Sequence, residues 1–409
     1  MTAERYKSLQ KVYCTILGIL PIISLYGIGK ITLSDFGLLI CYMLLFFIAL
    51  RDKKVYINLP SFLIAVYLLF QLLILSVYAD QNTDWADALG SSFRLAYQVL
   101  LFSLIPTNNR TSRDTLIRVF RMIGASSAIY GVLQFVFGNA FRISLSPYIP
   151  GLPISRMGLE EQQLSWINNA GMLVRARAWF SEPSTLSIYL LLALAIELYI
   201  SRKSNKALAA LYIIGIVVSN SSTGTVGLLV ILLFYIKNYC EKKRFKIPRS
   251  VILGMLVLVP IAAWIVLQSG YVENFINHAF AGGQGLNEQS HFSDIQIVLS
   301  EKANFPELLF GRGLHDININ GMRMYLPGWI RTYYCLGVIG TALYVVAFFI
   351  SYRMSSIAGK RIILLFIILN IGTEIMLGQY LILYMAVTEA AYKRETEYDM
   401  LDAECKESA

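Results

Sequence analysis

Apolar residues in this chain come in long unbroken runs, with neither the strict alternation of half-buried strands nor the narrow stripe of a surface helix. The runs predict helical spans at 13–29, 33–50, 59–78, 86–105, 119–138, 183–200, 207–220, 223–239, 250–268 and 329–351. A further apolar run, 361–392, divides into two short spans, 361–376 and 378–392. About 20 apolar residues are needed to cross a ~30 Å hydrocarbon core as a helix, so the fold class expected is all-α. The expectation is a polytopic integral membrane protein of about twelve transmembrane helices. The ten-residue alternation of a transmembrane barrel is absent.

The polar junctions give the runs a direction. RDKK (51–54), NNRTSR (108–113), SRKSNK (201–206), KNYCEKKRFK (237–246) and the stretch from Arg353 to Arg361 are basic. Segment 79–87 carries Asp80, Asp84 and Asp87 and no Lys or Arg. Placing the basic junctions and both termini in the cytoplasm puts most of the 35 Lys and Arg there, as the positive-inside rule expects. Two long segments then face outward, 139–182 and 269–328, and a cytoplasmic tail covers 393–409. The long segments hold aromatics, prolines and short apolar pieces such as IQIVL (295–299) and ELLF (307–310), which predict short helices within the loops. The whole reads as one transmembrane domain of 409 residues.

Composition agrees with this class: 56% of the residues are hydrophobic and the mean hydropathy is +0.58, more than a soluble core of this length can hide. The net charge of +9 sits in short clusters between apolar runs, so it reports membrane orientation and not a nucleic-acid partner. The first apolar run follows Arg5, Lys7 and Lys11 with no small-residue cleavage site, and reads as a retained span. The five cysteines show no paired spacing, so neither a disulfide framework nor a metal site is expected.

Orientation exposes the anomalies. Lysine is scarce on the outer side, yet Arg142, Arg156, Arg175, Arg177, Arg312 and Arg323 lie in the outward segments, with Arg331 just inside the tenth span. Arginine is favoured over lysine where a planar, bidentate donor meets phosphate or carboxylate. The plainer alternative is that these arginines pair with nearby acids such as Glu160, Glu161 and Asp316. Arg94 falls within a span, where a charge costs on the order of 2.5 kcal/mol unless a polar cavity or partner receives it. Glu374 is a milder case, and Glu197 lies near enough to a cytoplasmic end to snorkel. His278, His291 and His315 fall in the second outward segment at spacings that match no metal signature. His315 can act as a general base. Glu182, followed by Pro183, marks a helix start and can also serve as a base or orient an arginine.

Three stretches in order resemble the O-antigen polymerase and ligase superfamily: RARAWFSEPS (175–184), SNSSTGTVGLLVILL (219–233), and PELLFGRGLHDI (306–317) with RTYYCLGVIGTALYVV (331–346). The Arg-x15-Gly spacing of such polymerases fits Arg142 to Gly158 and Arg312 to Gly328. Ligases of the superfamily carry a histidine before the span after the large loop, where this chain reads YLPGWIRTYY (325–334), so the resemblance favours a Wzy-type polymerase over a ligase. It implies a glycosyltransferase of the bacterial inner membrane that moves a glycan from an undecaprenyl-pyrophosphate carrier onto a lipid-linked repeat unit at the outer face. The implied partners are that lipid-linked oligosaccharide, the bilayer and a chain-length regulator, with no cofactor, no metal and no nucleic acid. Arg175, Arg177 and Arg312 are then expected to bind the pyrophosphate with support from Arg94 and Arg331, and Glu182 and His315 to move the proton. A transporter, either a lipid-linked-oligosaccharide flippase or a solute carrier, is the competing class.

Overall fold

The computed structural model describes residues 2–29, 31–52, 56–78, 85–155, 174–201, 203–243, 295–298, 303–315, 317–319, 322–324 and 326–391. The expected span 250–268, the tail 393–409, Arg156, Gly158, His278, His291 and Asp316 lie outside the described residues. The fold is helical: α1 (Thr2–Ile23), α2 (Leu33–Asp52), α3 (Leu59–Tyr78), α4 (Trp85–Leu104) and α5 (Arg110–Val136) form the first half. Then come α6 (Pro183–Ala195), α7 (Lys206–Val218), α8 (Ser222–Lys243), the short α9 (Phe305–Phe310), α10 (Gly328–Met354), α11 (Ile357–Leu369) and α12 (379–391). Strand structure among the described residues is limited to two small antiparallel hairpins, Gly27–Ile28 with Ile31–Thr32 and Asn318–Ile319 with Met322–Arg323.

Among the described residues, five helices are long and apolar enough to cross a membrane: Leu33–Arg51, Leu59–Tyr78, Arg110–Phe141, Pro183–Ile200 and Gly328–Met354. Shorter apolar helices cover Lys206–Val218 and Ser222–Lys237. The run 361–392 breaks into α11 and α12 around a turn at 370–378, as two short helices require. The piece ELLF lies in α9, and IQIVL begins a short helix at 295–298.

Apolar character decides position in the bundle. The helix from Pro183 to Ile200 is 83% buried, whereas Leu33–Arg51 is only 22% buried and turns Leu39, Ile40, Phe46 and Phe47 outward. A helix that is apolar all round belongs in an interior, and an exposed apolar face is compatible with a hydrocarbon surround. Neighbours hydrogen-bond across to the central helix through buried tyrosines. Tyr189 donates to Gly18 O at 2.7 Å and Tyr384 donates to Ile188 O at 3.1 Å. Phe120 stacks on Tyr189 at 4.9 Å. The SNSST stretch makes the tight α7–α8 turn, with Ser219 Oγ 2.6 Å from Ser187 Oγ.

The central helix ends in a π-helical turn, Ile196–Ile200, that carries Glu197. Snorkelling is not what happens there: Glu197 is 1% exposed. Arg121 of α5 donates to its two oxygens at 2.9 and 3.0 Å and reaches Ser201 Oγ at 2.6 Å. The partner lies 76 residues away in sequence, beyond any local pattern. The pair is asymmetric, since the Arg121 side chain is 35% exposed and can turn to water if left alone. Glu197 cannot. Arg121→Ala should therefore cost about 3 kcal/mol or more, and Glu197→Ala about 1–2 kcal/mol. Melting temperatures of the two variants in detergent check this, with Arg121→Ala expected to be the lower.

Candidate functional site

The expected site residues fall into three groups. The first is the approach to α6. Residues 174–177 have no regular secondary structure, and along 175–180 burial alternates: Ala176, Ala178 and Phe180 are buried, while Arg175, Arg177 and Trp179 are half-buried. Arg175 and Arg177 thus fall on the less buried positions of a two-residue alternation. The Arg177 guanidinium lies over the Tyr148 ring at 5.3 Å from its centroid, and its Nη1 donates to Ser181 O at 3.1 Å. Burial pushes this guanidinium below the usual arginine value, while Tyr148, Glu182 and Tyr26 pull it back. A cation partly stripped of water in this way favours an anionic partner.

Glu182 is exposed and stands at the N-cap of α6, with Pro183 at the first helical position. Its N–H donates to Thr185 Oγ1 at 3.1 Å, and its Oε2 accepts from Ser184 Oγ at 3.0 Å. The helix-start reading thus holds, and it leaves the carboxylate beside Arg177.

The second group is built on a broken helix. Within α10, Gly337 has φ 65°, and the helix on either side of it is offset by that residue. The loop after α9 enters the break with Gly311 at φ 79°. A Cβ on Gly311 would meet Cys335 O at 2.2 Å, and one on Gly337 would meet Leu309 O at 2.4 Å, so both positions require glycine. The carbonyls released by the break are capped: Tyr334 O by Arg312 N–H at 3.0 Å, Cys335 O by Gly313 N–H at 2.9 Å and Gln71 Nε2 at 2.5 Å, and Leu336 O by Tyr67 OH at 2.5 Å.

That insertion seats Arg312 beside α10. Its Nε donates to Glu307 Oε2 at 3.1 Å, its Nη1 to Tyr334 OH at 3.0 Å, and the guanidinium covers the Tyr334 ring at 5.0 Å. Arg331 forms an ion pair with Glu374, whose other oxygen accepts Leu326 N–H at 2.8 Å. Cys335 sits between the Arg331 side chain and the backbone of His315. The structure therefore brings Arg312, His315 and Arg331 into one neighbourhood.

Arg94 forms the third group. Its Nε lies 3.3 Å from Asp35 Oδ1 on α2, and Asp35 also accepts from Tyr97 OH and Thr32 N–H. A fixed acid partner answers the cost of a charge in this helix, so a cavity is not needed.

The first two groups are joined through the segment 370–380. Glu374 holds Arg331, Gln379 Nε2 donates to Ser24 Oγ at 3.0 Å, and Tyr380 OH donates to Thr185 O at 3.1 Å, at the start of α6. Asp35, Glu307, Tyr148 and Tyr334 escaped sequence reasoning. Glu307 carried a local signal, Asn304-x-x-Glu307, the pattern of a helix-capping box. Glu182 and His315 belong to different groups.

Replacing Gly337 by Ala should cost on the order of 2–3 kcal/mol, because the clash is with the backbone of Leu309 and Gly311 and the residue has a positive φ. Gly372→Ala is the control, since nothing lies within 4 Å of a Cβ there. A fall in membrane-inserted protein for the first and not for the second checks the break. Compared with protein-family models, curated proteins and solved structures, the chain matches none.

Proposed function

We propose that this chain is a polytopic protein of about twelve spans in a bacterial inner membrane, with both termini cytoplasmic, and that it polymerises an O-antigen or capsular polysaccharide. One observation carries the reading: two arginine groups, Arg175 with Arg177 before α6 and Arg312 with Arg331 beside the break in α10, are connected through the segment 370–380, where Glu374 pairs with Arg331 and Tyr380 reaches Thr185 at the start of α6. The resemblance of the stretches around these same residues to Wzy-type polymerases supports it.

In the proposed reaction a hydroxyl of the acceptor repeat unit attacks the anomeric carbon of the donor glycan. The bond from that carbon to the pyrophosphate oxygen breaks, and the bonding pair leaves with undecaprenyl pyrophosphate. Negative charge therefore grows on the pyrophosphate, and guanidinium groups fixed beforehand stabilise it without reorganising. Carboxylates such as Glu307 and Glu374 orient the arginines, as second partners orient ligands in other charged sites. Glu182, in the first group, and His315, in the second, are the groups available to take the hydroxyl proton. The exposed apolar faces of α2 and α10 suit a surround of lipid, from which the polyprenyl tail would arrive.

Cells lacking the gene should carry surface glycan of single repeat units. Charge-removing changes at Arg175, Arg177 or Arg312 should reproduce that pattern, by about 100-fold or more in long chains, with the protein still in the membrane. A glycan gel against a membrane blot checks it. Normal ladders from Arg175→Ala, Arg177→Ala and their double variant would sink the proposal, and loss of every surface repeat on deletion would indicate flipping instead.

A further inference from the structure

The turn that presents Arg177 hangs on one buried amide. Gln134, on the last full turn of α5, is 5% exposed. Its Oε1 accepts from the N–H groups of Arg177 at 3.2 Å and Ala178 at 2.7 Å. Its Nε2 donates to Ala178 O at 3.2 Å and to Leu145 O at 3.4 Å. A primary amide has two donors and two acceptor lone pairs, so the side chain is fully used.

What it holds is an unfavourable conformation. Ala178 has φ 48°, in the left-handed region that a residue with a Cβ seldom adopts. This residue separates its neighbours: Arg177 lies over Tyr148, while Trp179 stacks on Tyr130 at 5.2 Å with 15° between the rings. The loop that supplies Tyr148 is tied to the same helix, by Gln134 at Leu145 O and by Tyr130 OH to Ser146 O at 2.5 Å. One side chain thus sets both the segment that carries the guanidinium and the loop that carries the ring beneath it.

We infer that Gln134 is a positioning residue for the pyrophosphate-binding arginine, holding Arg177 through the left-handed turn at Ala178. The inference rests on the reading that Arg177 meets the donor's pyrophosphate. A side chain that merely fills the core would act through packing, and nothing done to Ala178 would compensate for its loss. Glycine adopts the left-handed conformation at no steric cost, so Ala178→Gly should compensate if the turn is what Gln134 secures.

The test uses membranes holding the full chain and a synthetic undecaprenyl-pyrophosphate-linked repeat unit, with elongation followed over a range of donor concentrations. Gln134→Leu should raise the apparent KM for donor about tenfold with a smaller effect on kcat, and adding Ala178→Gly should recover most of the loss. If Gln134→Leu does not accumulate, Gln134→Met, which keeps the length of the side chain and removes the amide that accepts both N–H groups, takes its place with the same expected order. A wild-type KM in the Gln134 variant beside an impaired Arg177→Ala overturns the inference and spares the reading, as does an impairment that Ala178→Gly leaves untouched.

An unimpaired Arg177→Ala overturns the reading itself. The turn is then judged by labelling Arg177→Cys with a membrane-impermeant maleimide. Labelling that quickens about tenfold with Gln134→Leu and slows again with Ala178→Gly supports the positioning role, and an unchanged rate overturns it.

Discussion

A helix can break in apolar surroundings only if the carbonyls it releases find donors within the protein, because no water is there to take them. In α10 the break at Gly337 is met by the backbone of Arg312 and Gly313 and by Gln71 and Tyr67 of α3. That demand shapes much of what surrounds it. It draws the loop after α9 into the helix, and it makes glycine necessary at both 311 and 337. It also uses polar side chains on α3 that would otherwise be costly in an apolar helix.

The consequence for chemistry is positional. The loop that repairs the helix is the loop that carries Arg312, so the guanidinium is seated by the same contacts that make the break tolerable. The half of α10 that precedes Gly337 brings Arg331 to Glu374. From there the segment 370–380 leads to Thr185 and the start of α6, where Arg177 and Glu182 stand. Under the proposed function rigid seats matter, since stabilising a growing charge depends on dipoles and cations that do not have to move.

Legibility in the sequence followed the range of the interactions. Runs of apolar residues located α2, α3 and α6 closely, because each helix is specified by its own composition. The expected 119–138 began late: α5 starts at Arg110, where the Asn109 side chain accepts from Ser112 N–H and caps a polar first turn that hydropathy discounts. The start of α6 was readable from Glu182-Pro183, a local signal. Long-range pairings were not. Nothing near Arg94 points to Asp35, nothing near Glu197 points to Arg121, and a glycine inside an apolar run does not announce a break. The alternation RARAWF was visible as letters, but the left-handed turn at Ala178 that splits its side chains comes from Gln134, far back on α5.

The central claim is that fixed arginines stabilise a departing lipid pyrophosphate. The most direct measurement is reconstitution of the purified chain in liposomes with the undecaprenyl-pyrophosphate-linked repeat unit alone, with no nucleotide sugar added. The account predicts a ladder of lengthening lipid-linked glycan, with one undecaprenyl pyrophosphate released for each bond formed. Transfer of the intact lipid-linked unit between leaflets without any lengthening, or no change in the substrate at all, would contradict it.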